Sequence, residues 1–155
     1  MRTVAVLLAL IWCGIATYQI WRDWHEQLLP FGASGLAAVA GILWLLSGAS
    51  WPEWGNVLVA HVVTGAVIGL ISGVLWWIGK LGLGDVVSMA VFGAVFGGIP
   101  AFVVISVGYL TTGIGIGVRR LAVGPWPAKT DVPLGPGLWS AAAVMWGLLW
   151  GMGGH

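Results

Sequence analysis

Charge is what this chain has least of. Of its 155 residues six are Lys or Arg and five are Asp or Glu, 7% of the whole. A soluble domain carries roughly 25%, so a conventional solvated surface is excluded. The formal net charge is +1, and neither nucleic acid nor an acidic partner is implied. Cysteine is nearly absent: Cys13 stands alone, which excludes a disulfide within the chain and a cysteine-built metal centre. It lies in an apolar run and reads as a packing residue. No cofactor or metal is expected, and there is no internal repeat and no soluble domain.

What is abundant is apolar. Hydrophobic residues make up 59% of the sequence and the mean hydropathy is +1.00. That places the chain among integral membrane proteins, all-α, with residues 1–155 forming one polytopic helical bundle. Of the twelve tryptophans, Trp21, Trp24, Trp51, Trp54, Trp76, Trp77 and Trp126 sit near run ends, where an interfacial aromatic belt is expected. Uncharged runs cover 3–21, 27–52, 54–79, 86–118 and 132–154. A span takes about 20 residues, so four of these hold one span each. As a single helix, 86–118 would reach about 50 Å, against a hydrocarbon core near 30 Å. Gly97-Gly98-Ile99-Pro100 offers a break. Two short spans, about 86–98 and 100–118, bring the total to six.

Six spans put Arg22, Lys80, Arg119, Arg120 and Lys129 on one side and Arg2 on the other. Five spans would divide them four to two. The positive-inside rule favours six, with charged loops in the cytoplasm and both termini outside. Met1-Arg2 and the run that follows read as a span rather than a signal peptide. The run is long enough, no small-x-small cleavage site follows it, and Asp23 comes directly after. Residues 119–136, with four prolines, read as a cytoplasmic loop. Gly65-x-x-x-Gly69-x-x-x-Gly73 and Gly93-x-x-x-Gly97 read as close helix contacts, and His61 as a packed, hydrogen-bonded residue.

Against this background two aspartates stand out. Carboxylates beside membrane spans are costly and are functional candidates by default. Asp23 and Asp85 are separated by two spans under either count, hence lie on the same side. Two carboxyls able to approach each other suffice for acid–base hydrolysis. Asp85 ends Lys80-Leu81-Gly82-Leu83-Gly84-Asp85, where the glycines permit a tight turn and positive φ, and it falls at the N-cap of a helix from Val86. Asp23 follows the first span in Trp21-Arg22-Asp23-Trp24-His25-Glu26-Gln27-Leu28-Leu29-Pro30. Either aspartate alone has a plain alternative, a helix cap for Asp85 and an interfacial charge for Asp23.

Together they resemble the type IV prepilin peptidases, membrane aspartyl proteases. Asp23 and Pro30 keep that family's spacing of Asp and Pro. Gly82, Gly84 and Asp85, then Gly93 and Gly97, match its Gly-x-Gly-Asp stretch and following glycines. Pro133-Leu134-Gly135-Pro136 stands where its last cytoplasmic loop enters the final span. The resemblance implies an inner-membrane, cytoplasmic-face aspartyl endopeptidase that removes leaders from prepilin or pseudopilin substrates. Asp23 and Asp85 would be catalytic, and Pro30, Gly82, Gly84 and Lys80 would support substrate or site. It also implies the short, protease-only type with no methyltransferase domain, membrane lipid around it and pilus secretion machinery as a possible partner. Val87 stands where the family has Lys, and Phe31 where it has Asn. The alternatives are a catalytically silent scaffold for pilus assembly, a presenilin-like Gly-x-Gly-Asp protease and a small transporter.

Overall fold

The computed structural model describes residues 2–26, 29–48, 51–124 and 134–152. Trp126, Lys129 and Pro133 of the expected loop lie outside the described residues. Six α-helices and one 3₁₀ turn, with no strand, make up the described residues. They are α1 (Arg2–Glu26), α2 (Phe31–Gly48), the turn Trp51–Glu53, α3 (Trp54–Trp77), α4 (Leu83–Phe96), α5 (Gly98–Val123) and α6 (Gly135–Met152). Of these, α3 and α5 are long and apolar enough to cross a membrane.

The long uncharged run breaks where its glycines stand. Gly97 adopts φ +63 and Gly98 φ +26, a region that side chains other than glycine rarely enter. A Cβ at Gly97 would also come within 2.8 Å of the His61 ring. The polar groups freed at the break are met by α3: His61 Nδ1 donates to the Ala94 carbonyl at 3.0 Å, and Thr64 Oγ1 accepts the Gly98 N–H at 3.3 Å. His61 is thus the packed, hydrogen-bonded residue expected. Pro100 does not interrupt α5, because it sits in the first turn, where an N–H has no intrahelical partner. The boundaries need correction. The first half begins at Leu83 and the second runs to Val123, so Arg119 and Arg120 belong to the last turns of α5 rather than to a loop.

Small residues seat α3 on α4. A Cβ on Gly93 would lie 2.8 Å from Gly65 Cα, and one on Gly65 would lie 2.9 Å from the Ala90 carbonyl oxygen. Gly69 approaches Ala90 in the same way, whereas Gly73 faces open space. The spacing argument therefore holds for three of these positions and fails for Gly73.

The interior is aromatic. Trp12, Trp139 and Trp146 are buried with Phe92 and Phe96. Trp12 stacks on Trp146 with centroids 4.7 Å apart and meets Phe96 edge-on at 5.9 Å, while Phe92 meets Trp139 at 4.9 Å. Meanwhile Trp21, Trp24, Trp76 and Trp77 are exposed near helix ends, as a belt would have them. Trp12, midway along α1, thus meets the last turns of α4 and the later half of α6, while Asp23 near the end of α1 bonds Gly135 at the start of α6. Hence α1 runs opposite to both, and its C-terminal end lies at the same end of the bundle as the starts of α4 and α6.

Candidate functional site

That shared end holds both aspartates. Asp23 sits in the last turn of α1, beyond the uncharged run 3–21, and is 5% exposed. Its Oδ2 accepts the Gly135 N–H at 2.8 Å. The first N–H groups of a helix lack intrahelical partners, so a side chain of α1 caps α6 from across the bundle. Glycine at 135 is what lets the carboxylate approach, since a Cβ there would come within 2.7 Å of Asp23 Oδ2 and displace it.

Asp85 is the third residue of α4, ahead of the run 86–118. Its Oδ2 accepts the Gly82 N–H at 3.3 Å, the reach-back of an acidic residue in a first turn. Two expectations fail here. The N-cap is Gly82, not Asp85, because helical geometry begins at Leu83; and Gly82 is extended, at φ −74 and ψ 149. The positive φ of this connection belongs to Gly79 (φ +71), which ends α3 as the Lys80 N–H bonds Leu75 O and the Gly79 N–H bonds Trp76 O, both at 2.8 Å. This is a Schellman ending. Gly84 has a packing role: a Cβ there would lie 2.8 Å from Leu29 Cβ, so its absence lets α4 press against the entry to α2.

The charge of Asp23 bears on Asp85. Burial, and then the charge of Asp23, push Asp85 up to about 6, against the opposing Gly82 N–H. Burial also raises Asp23, and the Gly135 N–H opposes it. Two nearby acids in a poorly solvated place do not both ionise readily. Among the described residues no ion pair joins either carboxylate to a cation; Arg22 pairs instead with Glu26 at 2.7 Å. Lys80, expected in support, is exposed, and Val87 is partly buried against the core.

Pro30 serves through its carbonyl. That oxygen accepts the Ala33 and Ser34 N–H groups at 3.1 and 3.2 Å, and Gln19 Nε2 at 3.4 Å. Gln19, fully buried, also donates to Ser34 Oγ at 2.8 Å. It lies one turn before Asp23 and fixes α1 against α2. Sequence reasoning passed over Gln19, although it is the one carboxamide in the run 3–21. It also passed over Tyr109, whose hydroxyl lies on α4's Met89, one turn from Asp85. Beside the site an apolar groove of about 700 Å³ runs between α5 and α6, from Trp24, Pro136 and Gly137 along Thr111, Gly115 and Ser140. Comparison with protein-family models, with curated proteins and with solved structures returned no match.

Proposed function

We propose that this chain is a six-span aspartyl endopeptidase of the bacterial inner membrane that removes the leaders of prepilin-like proteins at the cytoplasmic face. The observation that carries it is the pair itself. Two of only five acids in the chain lie, poorly solvated, at one end of the bundle, with the charge of Asp23 acting on Asp85, and each raises the question of why it is charged at all. A helix N-terminus is capped as well by Asn or Ser; only an acid can also transfer a proton. In this reading Asp23, which the Gly135 N–H favours in its ionised form, takes a proton from water. Asp85 holds the shared proton and later gives it to the leaving amine. The groove between α5 and α6 starts beside Asp23 and Gly135, and there the substrate's apolar helix would lie against small residues.

The test is leader removal by the purified chain in lipid vesicles. Asp23→Asn and Asp85→Asn keep an oxygen for the Gly135 and Gly82 N–H groups but cannot exchange a proton. Each should leave the bundle folded and the leader in place; normal processing by either would end the proposal. The second reading, a silent scaffold, is favoured by the caps both aspartates form and by the absence of a cation paired with them among the described residues. It predicts a folded wild type that leaves every leader uncut.

A further inference from the structure

We infer that Tyr109 is a third catalytic residue of this site, its hydroxyl donating to the carbonyl oxygen of the peptide bond being cut. This rests on the peptidase reading above. Tyr109 lies on the side of α5 turned to α4, with its hydroxyl 4.0 Å from Met89 Sδ. Met89 is one helical turn beyond Asp85, so both lie on one face of α4. The backbone beneath Tyr109 is held firmly, because neighbouring Gly108 packs so closely on α6 that a Cβ would fall 2.8 Å from Leu138 Cα. A rigid support of this kind is what a reacting group requires.

The chemistry leaves a place for such a donor. As water adds to the carbonyl carbon, the C=O π pair moves onto oxygen, and that oxygen needs hydrogen-bond donors. Of the N–H groups beside the acids, Gly82 is committed to Asp85 and Gly135 to Asp23. Ser88 is fully buried, beyond the reach of a peptide, and position 87 is a valine. Tyr109 is 36% exposed, and its present acceptor is a thioether sulfur, a weak one. An incoming carbonyl oxygen is a better acceptor. A phenol keeps its proton up to about pH 10, so it stays a donor wherever the carboxyls titrate. In the step, the water proton goes to Asp23 and the new C–O bond forms. Tyr109 shares its proton with the oxyanion without giving it up. The oxyanion pair then reforms C=O, the C–N bond breaks, and the Asp85 proton passes to the leaving nitrogen.

The experiment compares wild type, Tyr109→Phe, Met89→Leu and Asp85→Asn in vesicles with a prepilin-like substrate, measuring kcat, KM and thermal midpoint. Tyr109→Phe should lower kcat on the order of 10²-fold with KM and midpoint unchanged, while Met89→Leu keeps wild-type kcat. Tyr109→Phe at wild-type kcat would overturn the assignment and leave the dyad standing. An equal loss in Met89→Leu would overturn it too, showing that the contact serves packing. A wild type that does not cut would remove the peptidase reading and this residue's role with it.

Discussion

At the scale of single residues, the two carboxyls are a burden on the fold, and that burden is measurable. Asp85 is pushed from an ordinary 3.8 to about 6 by burial and by Asp23. The folded chain therefore holds this proton more tightly than the unfolded chain. Stability from it is complete below about pH 4 and is lost as pH rises through 6. At one pH unit per 1.36 kcal/mol the loss is on the order of 2–3 kcal/mol. The thermal midpoint of the wild type should fall between pH 4 and 7, and Asp85→Asn should flatten that fall and melt higher at pH 7.5. A wild-type midpoint independent of pH would contradict the account. Gly135 offers a second measurement. A methyl group there strikes Asp23 Oδ2 and moves the acid, and a displacement near 1 Å costs on the order of 10²-fold in rate. Gly135→Ala should therefore lose leader removal while the circular-dichroism spectrum of the bundle is kept.

At the scale of helices, contact is made by what is missing from the side chains. Gly93→Leu should drive α3 off α4, because the added carbons meet the Gly65 and Thr64 backbone, which cannot yield. Gly73→Leu should be tolerated, since nothing lies within 4 Å of its Cβ position. Thermal denaturation of the two variants in one detergent checks both; equal midpoints would sink the distinction. Six helices, and the break at Gly97-Gly98, were legible because length and charge spacing carry them. Helix starts were less so. Asp85 and Gly82 exchange places as cap because both suit one, and only the backbone turn at Gly79 decides where α4 begins. The buried tryptophans were illegible for a different reason. When the surroundings are as apolar as the interior, apolarity no longer separates inside from outside, so Trp12 and Trp146 look the same in sequence as Trp21 and Trp77.

At the scale of the whole molecule, the antiparallel course of α1 against α4 and α6 brings together acids 62 positions apart in sequence. Placement at one end of the bundle was legible, since two intervening helices, α2 and α3, return the chain to the end it left. The third element of the site was not: Gly135 gives Asp23 its partner, and nothing in the order of residues announces a cap supplied by another helix. Gln19 and Tyr109 were hidden likewise, each a common polar residue whose meaning comes from the helix opposite. The most direct test of a pair working on one water is a double-mutant comparison of leader removal in vesicles, using Asp23→Asn, Asp85→Asn and the two combined. Residues acting as a unit are strongly non-additive. Each single variant should fall to the same residual rate as the double. A single variant that keeps turnover, or losses that multiply in the double, would show that the two carboxyls do not share the reaction.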